Sequence, residues 1–468
     1  MCVCVTFIAI VDGAITTVAL PSIARQFRLT TAALDGVVVV YPVCLAMAIP
    51  ASAWLVERFG AKRVLLTALT GFLGASLLCG AATGLGQLVA FRALQGLSAG
   101  VLFPASASLL FSTFNSSEQV RISRHMIIPQ QIAPAAAPIL GGLLVDHLSW
   151  RCVFYVNLPV GLPAVLFGLL FLSGHRGTRP GRFDLPGLLL SAAALGAVMF
   201  GISEGPNRGW SSAGVVAALV LGAVLLAATT VFELRATEPL LKLRLFADRL
   251  FRDTNLINLV GLVPILGAMY LGPLFLQQGQ GRTALESGTS TFPEAFGVLL
   301  TVQVVGACYA RIGPRVIVGC GMAGVSAVLL LFALCDEHTG LWTFRAYMFL
   351  LGLAMGGVFM PTTVASLATI GRPDLAQAST LNTVVRQTGG ALAPAAVTTV
   401  LVLSTPAAAA ADPPITAYQH AYLALAVIAA VTAAFAFTLP DGPARAAARG
   451  TTVTNRSTPF RRQRENAR

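Results

Sequence analysis

Residues 64–83 read VLLTALTGFLGASLLCGAAT, a run of 20 residues in which no side chain is charged. About 20 apolar residues are enough for a helix to cross the hydrocarbon core of a bilayer. Similar runs recur along the chain, for example from Gly214 to Phe232. Only 11% of the 468 residues are charged and 56% are hydrophobic, whereas an ordinary soluble domain has about 25% charged residues. Because lipid cannot satisfy open backbone groups, the sequence predicts an all-α polytopic membrane protein.

Fourteen stretches of the chain are long and apolar enough to be spans. They are 2–20, 36–56, 64–83, 87–110, 125–145, 152–172, 184–203, 213–232, 256–277, 289–310, 316–335, 341–369, 378–404 and 419–438. An even number of spans leaves both termini on one side of the membrane. Of the 31 Lys and Arg residues, 23 fall in the loops and tail on that side and six on the other. Since positive loops stay in the cytoplasm, we expect a multi-pass protein with cytoplasmic termini.

The charge and composition also indicate a cell type and exclude one class of partner. The abundance of arginine and alanine over lysine is typical of a GC-rich bacterial genome, so we expect a bacterial plasma membrane. The net charge of +12 follows from the loop asymmetry, and nucleic acid is therefore not a predicted partner. We expect the basic tail, 439–468, to be disordered and to contact anionic lipid.

Two motifs recur at one offset and indicate an internal repeat. Arg58-Phe59-Gly60 and Arg311-Ile312-Gly313 are 253 residues apart, and so are Phe91-Arg92-Ala93 and Phe344-Arg345-Ala346. Two unrelated motifs at the same offset predict parallel halves related by an axis along the membrane normal. The predicted organisation is a six-helix bundle over 1–172, two inserted spans with linkers over 173–255, and a second six-helix bundle over 256–438.

Four ionisable side chains lie inside predicted spans: Asp12, Arg92, Glu294 and Arg386. Charges at membrane depth are expensive, so each is a functional candidate. Burial favours the neutral form of a carboxyl group, which would let Asp12 bind and release a proton. A cationic substrate could compete for the same carboxylate, and the alternative is a structural ion pair between helices. Glu294 is a second candidate for proton binding by the same argument. It lies nearer the outer surface, so the alternative is that its side chain is solvated.

The two arginines have different predicted roles. Arginine keeps its charge in ordinary sites, so Arg92 would act by changing the proton affinity of a nearby carboxylate. The alternative is that Arg92 binds backbone carbonyls of neighbouring helices. Arg386 has the weaker case, because its helix starts near the cytoplasm and its side chain could reach water.

Several motifs together resemble the major facilitator superfamily, specifically its fourteen-span drug:proton antiporters of the EmrB/QacA type. Residues 11–21 are similar to the acidic first-helix motif of that group, and residues 91–96 to the fourth-helix RxxqG motif. The loop that ends in ERFGAKR, residues 57–63, resembles the superfamily's GxLaDRxGrkr loop, with Glu57 in place of Asp. More specific to the fourteen-span group are the following stretches: WRCVFYVNLP at 150–159, DLPG at 184–187 and NTVVRQTGG at 382–390.

The exporters' fifth-helix motif, GxxxGPxxGG, is similar to APAAAPILGG at 133–142. This stretch keeps Pro138, Gly141 and Gly142, whereas Ala133 and Ala137 replace glycines. Together with Pro134, the prolines would bend this helix and leave backbone carbonyls free.

The resemblance implies a major facilitator fold of two six-helix bundles plus two inserted helices. It also implies proton-coupled efflux of small amphipathic compounds such as drugs or antibiotics, cationic ones among them, by alternating access. Three groups of residues follow from it and from the positions above. They are proton coupling by Asp12, Arg92 and Glu294; a gating loop of Glu57, Arg58, Gly60, Lys62 and Arg63; and a substrate cavity that includes Asp12, Gln130, Gln131 and Asn382. We expect the loop to pair with helix ends of its own half, or only to set orientation by its charge.

Two other function classes were weighed against export. A proton symporter that imports a nutrient would use similar residues, and a membrane-embedded enzyme or receptor would be equally hydrophobic. Gly96-Leu97-Ser98-Ala99-Gly100 matches GxSxG, but it lies inside a predicted helix and not in the strand-to-helix turn that a nucleophile elbow needs. The five histidines lack metal-ligand spacing and no GxxxxGK[ST] occurs. We therefore expect no enzyme activity, metal or cofactor, and a monomer whose partners are a small molecule, protons and lipid.

Overall fold

The computed structural model describes residues 1–28, 35–113, 133, 137, 140–145, 147–172, 184–236, 239, 241–371, 374–405 and 414–442. Within these ranges all regular structure is helical. The first half contains α1 (Cys2–Phe27), α2 (Asp35–Phe59), α3 (Ala61–Ala81), α4 (Leu85–Thr113), the short α5 (Cys152–Tyr155) and α6 (Asn157–Phe171). Helices α7 (Leu185–Arg208) and α8 (Ala213–Arg235) follow as an inserted pair.

The second half begins after a short 3₁₀ turn at Leu243–Ala247. It contains α9 (Arg249–Leu274), which continues as a π-helical turn to Gly279, then α10 (Ala284–Thr291), α11 (Pro293–Ile312), α12 (Pro314–Phe332), α13 (Leu341–Leu367), α14 (Leu375–Ser404) and α15 (Ile415–Ala436). Its first helix thus begins seven residues before the expected start of the second bundle at 256.

Polar side chains mark the starts of several helices. The carboxylate of Asp184 accepts a hydrogen bond from the backbone N–H of Gly187 at 2.9 Å, and that of Asp248 accepts one from Phe251 at 2.9 Å. Thr283 and Glu286 form a reciprocal capping box at the start of α10. Such caps satisfy amide groups that have no partner within the helix. They stand at the ends of apolar segments, so they define where the predicted spans begin.

The number of spans can be compared with the prediction only in part. Among the described residues, twelve helices are long and apolar enough to cross a membrane, and α1 is a thirteenth when its two bent parts are counted as one span. The predicted fifth span, 125–145, lies mostly outside the described residues; of it, residues 140–145 are helical. The all-α polytopic architecture is therefore confirmed, while the count of fourteen remains a prediction.

The predicted span at 289–310 is confirmed as one candidate span, Glu286–Ile312. Within it, a one-residue turn at Phe292 separates α10 from α11. Pro293 lacks a backbone N–H and has a fixed φ, so it is accommodated at the start of a helix rather than in its interior. Phe292 keeps helical dihedral angles, with φ −56° and ψ −35°, so α10 and α11 continue as a single span.

Helices pack in the same order in both halves. In the first half α4 packs against α2 and α3, and in the second half α13 packs against α11 and α12. The inserted helix α7 packs against its partner α8 and also contacts α2 and α14, which belong to different halves. A small apolar cluster of Ala46, Leu195 and Met199 fills this junction. The inserted pair therefore lies beside the seam between the two bundles.

The loop motif of the repeat has one backbone conformation in both halves. Gly60 has φ 82° and Gly313 has φ 86°, and each directly precedes the next helix. A positive φ of this size favours glycine because it has no Cβ. The loops at Arg58-Phe59-Gly60 and Arg311-Ile312-Gly313 are therefore equivalent in structure, at the expected offset of 253 residues.

The second repeated motif is not equivalent in structure, and that part of the repeat prediction is wrong. A side-chain carbon at Gly96 would collide with the backbone oxygen of Tyr41, and one at Gly352 with the backbone oxygen of Glu294. Tyr41 and Glu294 are 253 residues apart, but the two glycines are 256 apart. Extra residues before α13 shift its numbering by three. The structural counterpart of Arg92 is consequently Met348, and not Arg345.

Candidate functional site

The side chains of Asp12 and Arg92 form a buried ion pair in the first half. Nη1 of Arg92 in α4 donates to Oδ2 of Asp12 in α1 at 2.5 Å, and the two residues are only 1% and 0% exposed. A charge of either sign would be costly at this depth if it stood alone. The pair is neutral as a whole, which is how two ionised groups can both occupy the interior of a membrane-spanning bundle.

Three uncharged polar residues complete the environment of Asp12. Its Oδ1 accepts hydrogen bonds from Nε2 of Gln95 at 2.8 Å and from Nδ2 of Asn157 at 2.6 Å. The same two amide groups also lie 2.7 and 3.1 Å from Oγ of Ser76. We name these five buried residues the carboxylate cluster: Asp12, Ser76, Arg92, Gln95 and Asn157. The carboxylate joins α1 to α4 and α6, and the two amide groups connect this network to Ser76 in α3.

The guanidinium of Arg92 has further contacts on its other side. Its Cζ lies 4.4 Å from the centre of the Tyr41 ring, and its Nε donates to the backbone oxygen of Val37 at 3.5 Å. An arginine above an aromatic ring gains from the negative face of that ring. Arg92 is thus positioned by α2 as well as by α1, so a change in its pairing would be felt by both helices.

A cavity of about 230 Å³ adjoins the carboxylate cluster. It is lined by Gly13, Thr16, Val38, Tyr41, Pro42 and Arg92. Asp12 itself is completely buried and does not line it. In this conformation the cavity therefore reaches the cation of the pair, while the carboxylate is closed off behind it.

Glu294 lies apart from this cluster, in α11 of the second half. It is 4% exposed, and its Oε1 has no hydrogen-bond partner among the described residues. Its backbone packs directly against Gly352 of α13. The structure therefore does not bring Glu294 to Asp12 and Arg92, and it gives this carboxyl group a buried rather than a solvated position.

The expected gating loop makes contacts with both halves. Nζ of Lys62 donates to the backbone oxygens of Leu172 and Leu169 at 2.5 and 3.2 Å, at the end of α6 in its own half. Oε1 of Glu57 accepts a hydrogen bond from Nε2 of Gln377 in the second half at 3.4 Å. Arg58 and Arg63 are exposed. Lysine at a helix end suits the partial negative charge of the last carbonyl groups.

A second contact between the halves lies deeper on the same side. The hydroxyl oxygens of Ser52 in α2 and Thr380 in α14 are 2.9 Å apart and buried. Together with the Glu57–Gln377 hydrogen bond, this contact joins the bundles at the end of the molecule that the charge distribution assigns to the cytoplasm. At that end the two halves are in contact in this conformation.

The fifth-helix motif and the expected cavity residues are described only in part. Pro134, Pro138, Gln130 and Gln131 lie outside the described residues. A side-chain carbon at Gly141 would lie 2.9 Å from Cγ1 of Ile15, so this glycine packs closely against α1. Gly142 has no such neighbour within 4 Å.

Asn382 belongs to a buried network of uncharged side chains in the second half. Its Nδ2 lies 3.3 Å from Oδ1 of Asn255 in α9 and 3.3 Å from Oγ of Ser366 in α13. Asn255 in turn donates to the backbone oxygen of Phe251 at 2.8 Å. We name Asn255, Ser366 and Asn382 the amide cluster. Asn382 is 7% exposed, so here it connects helices rather than lining an opening.

Gln95, Asn157 and Ser76 were not singled out from the sequence, because only ionisable residues in spans were considered. The sequence nevertheless contained evidence that pointed to Gln95 and Asn157. Gln95 is three residues after Arg92, which puts both on one face of a helix. Asn157 lies within the WRCVFYVNLP stretch that carries part of the family resemblance. Among the described residues, no group of three or more His, Cys, Asp or Glu side chains is arranged to hold a metal ion.

A polytopic helical bundle, with two halves packed alike and a neutralised ion pair inside the membrane, is typical of a membrane transporter. The Major Facilitator Superfamily model matches residues 2–394, so the chain belongs to this family. This confirms the superfamily expected from the sequence motifs. Members of the family are transporters, which also confirms that the protein is not an enzyme.

Curated relatives cover most of the chain at moderate identity. The "Multidrug resistance protein B homolog" of Mycobacterium tuberculosis (strain ATCC 25618 / H37Rv) is 31% identical over 405 residues, which are 86% of this chain and 75% of that protein. The "Multidrug export protein EmrB" of Escherichia coli (strain K12) is 28% identical over 405 residues, covering 84% and 78%. The "Tetracenomycin C resistance and export protein" of Streptomyces glaucescens is 29% identical over 353 residues, covering 75% and 66%.

A solved structure shares the fold. The crystal structure of the human organic anion transporter MFSD10 (TETRAN) superimposes with a TM-score of 0.62, covering 91% of this chain and 98% of that one. The sequences are 13% identical, so the likeness concerns the fold alone. It confirms the expected major facilitator fold.

Proposed function

We propose that this protein exports small amphipathic compounds, drugs or antibiotics among them, across a bacterial plasma membrane in exchange for protons. Two lines of support meet here. The relatives described above are named for multidrug resistance and for export. The carboxylate of Asp12 also joins three helices of one half, α1, α4 and α6, at a depth where its charge state must matter. Fourteen spans and cytoplasmic termini are part of the proposal.

The observation that carries the proposal is the ion pair between Asp12 and Arg92. While Asp12 is ionised, both charges are neutralised and the cluster is closed. When Asp12 binds a proton, the guanidinium keeps its charge and loses its counter-ion. Arg92 must then find new partners, and the cavity beside it supplies a direction in which it can move. Protonation would therefore favour a different packing of α1, α2 and α4.

This switch supplies what alternating access requires. A ligand or proton shifts a conformational equilibrium only if it interacts differently with the two states. Asp12 meets this condition. Its ionised form favours the state in which it pairs with Arg92, and its protonated form favours the state in which Arg92 has other partners. The contacts at Ser52–Thr380 and Glu57–Gln377 would open in the alternate state, because they join the halves at one end only.

Inverted membrane vesicles with an acidic interior test the proposal. Uptake is followed for ethidium as a cationic probe and for anilinonaphthalene sulfonate as an anionic probe, with the full chain in the membrane. Asp12→Asn keeps the size and hydrogen-bonding capacity of the side chain but cannot titrate. We expect gradient-driven uptake to fall by about tenfold or more, which corresponds to about 1.4 kcal/mol in the barrier. Exchange without a gradient should persist, because it needs no net proton movement.

A matched control is Asp336→Asn, which changes an exposed carboxylate in the loop between α12 and α13. This variant should pump like the wild type. If Asp12→Asn also pumps at the wild-type rate with the same pH dependence, Asp12 is not the coupling residue and Glu294 takes its place. Uptake into right-side-out vesicles driven by external acid would instead assign the protein to nutrient import.

A further inference from the structure

Among the residues that the structure describes, the guanidinium of Arg386 in α14 has no acidic partner. Its Nη1 lies 3.3 Å from Oγ1 of Thr363, and its Cζ lies 5.8 Å from the centre of the Phe359 ring. Arg92, the other arginine at this depth, has a carboxylate at 2.5 Å. No described carboxylate therefore neutralises the charge of Arg386.

The position of Arg386 along α14 coincides with a change in packing. Residues 377–382 are buried, whereas residues 383–388 are all half-exposed. Helix α14 packs against α2, α4 and α7 on one side and against α9, α13 and α15 on the other. Within this stretch, Val384 packs against the cluster of Ala46, Leu195 and Met199, and Arg386 meets Thr363 of α13. The stretch therefore has neighbours in both halves.

The Ser52–Thr380 contact shows how deep residues 383–388 lie in the membrane. Thr380, which meets Ser52 across the halves, is six residues before Arg386. At about 1.5 Å per residue, Arg386 is attached about 9 Å further into the membrane. The guanidinium thus lies just above the point where the bundles touch, with the ring of Phe359 as an apolar neighbour.

We propose that Arg386 binds an anionic group of the transported compound, so that the substrates are amphipathic organic anions such as carboxylates or sulfonates. This inference rests on the proposed transport function and adds the charge of its substrate. A guanidinium offers five N–H donors in a plane that matches carboxylate and sulfonate oxygens. One donor is directed at Thr363, which leaves the others for a ligand. The ring of Phe359 provides apolar contact beside the charge.

The first half supports an anion over a cation. Both oxygens of Asp12 already accept hydrogen bonds, from Arg92 on one side and from two amide groups on the other. A cationic substrate would have to displace these donors from a fully buried carboxylate. It would also meet the repulsion of Arg386 between the halves. An anion needs no such displacement, since no described carboxylate pairs with Arg386.

Naphthalene-2-sulfonate and 2-naphthyltrimethylammonium test this inference, because they share an aromatic body and differ in charge, and the sulfonate has oxygens that a guanidinium can bind. Binding of each ion to the purified full chain is measured in one detergent, and each variant is compared with the wild type for the same ion. Arg386→Gln should weaken naphthalene-2-sulfonate binding by about tenfold or more and change 2-naphthyltrimethylammonium binding by less than about twofold. Arg386→Lys keeps the charge and should lose only about threefold for the anion. Arg345→Gln, at the outer end of α13, is the control and should behave as wild type.

A second pair of variants tests the charge while keeping the arginine. Thr363→Asp places a carboxylate where the hydroxyl now meets Arg386, and the new ion pair should abolish the anion binding. Thr363→Asn has nearly the same shape without the charge, and it should retain that binding. The inference is overturned if Arg386→Gln or Thr363→Asp folds and binds naphthalene-2-sulfonate within about twofold of the wild type. It is overturned equally if Thr363→Asn loses the anion as fully as Thr363→Asp does. Since these measurements use no gradient, they are independent of the vesicle experiment on proton coupling.

Discussion

The two halves of this transporter share a packing pattern but differ in the polar chemistry at their centres. The carboxylate cluster of the first half is built on an ion pair at 2.5 Å, and the amide cluster of the second half on uncharged groups 3.3 Å apart. An ion pair can be broken by a single proton, whereas amides do not titrate in the physiological range. The comparison teaches that duplicated bundles need not duplicate a switch.

Equivalent glycine contacts in the two halves show which positions correspond, so the polar difference can be assigned to particular residues. Gly96 and Gly352 both pack against a backbone oxygen of the neighbouring helix, at Tyr41 and Glu294 respectively. By this correspondence the place of Arg92 is taken by Met348, which is buried. Among the described residues, the equivalent place in the second half therefore holds no arginine, and no ion pair there involves Glu294.

The largest expected effect is on the ion pair. Arg92→Ala leaves Asp12 buried without its counter-charge, and we expect the free energy of unfolding to fall by about 3 to 5 kcal/mol. Arg92→Lys should lose less, because it keeps a charge. Thermal and denaturant unfolding of the purified protein in detergent would measure both. Adding Asp12→Asn to Arg92→Ala removes the unpaired charge and should recover part of the stability; a double variant as unstable as Arg92→Ala would contradict the pairing.

The next largest effect concerns the close helix packing at Gly96 and Gly352, which the two halves share. Gly96→Val and Gly352→Val each place side-chain atoms against a backbone carbonyl, so the helices must separate. We expect each to cost about 1 to 3 kcal/mol of unfolding free energy, with similar values in the two halves. Gly74→Ala is the control, because the space beside Gly74 in α3 is open. A large loss at Gly96 alone would show that the register of α13 differs from that of α4.

A smaller effect is expected when one amide side chain is removed from each cluster, and its size should differ between the carboxylate cluster and the amide cluster. Asn157→Ala removes a donor from a buried carboxylate and should cost about 1 to 3 kcal/mol. Asn382→Ala removes two long hydrogen bonds between uncharged groups, to Asn255 and Ser366, and such bonds average about 0.6 kcal/mol each between membrane helices. Both variants can be followed by the same unfolding assay, with vesicle transport as a second measurement. The comparison fails if Asn382→Ala proves the more damaging of the two, or if it alone changes the pH dependence of transport.

The smallest effect is expected at the seam between the halves. Ser52→Ala removes one hydroxyl of the contact with Thr380, worth about 0.5 to 1.5 kcal/mol. The population of the alternate state should rise by a few-fold, and the overall stability should hardly change. Labelling of a cysteine introduced at Gln377 would report this shift as faster modification from the predicted cytoplasmic side. If Ser52→Ala leaves the labelling rate unchanged, the Ser52–Thr380 contact does not hold the predicted cytoplasmic ends of the two halves together.

Much of the architecture could be predicted from the sequence because lipid imposes simple rules. The spans followed from hydropathy, and Asp12 and Arg92 were candidates because charged residues are rare at that depth. The span at 289–310 was predicted, but its turn at Phe292 was not, since a proline within an apolar run is compatible with a kink as well as with a helix start. The second repeated motif was misleading for a similar reason. Three matching letters near a helix start carry less information than the glycine contacts that set the register.

By itself the sequence determined that the chain is a helical membrane protein, and it identified the ionisable residues that need an explanation. Only the tertiary structure decided which of them meet. Asp12 and Arg92 are 80 residues apart and touch, and Asn157 joins Asp12 from 145 residues away. Among the described residues, Arg386 meets Thr363 and no carboxylate. The physical reason is that hydropathy reports how deep a residue lies but not which helix its side chain faces. In a bundle where lipid and protein are equally apolar, that choice depends on close packing at small residues and on the pairing of a few polar groups.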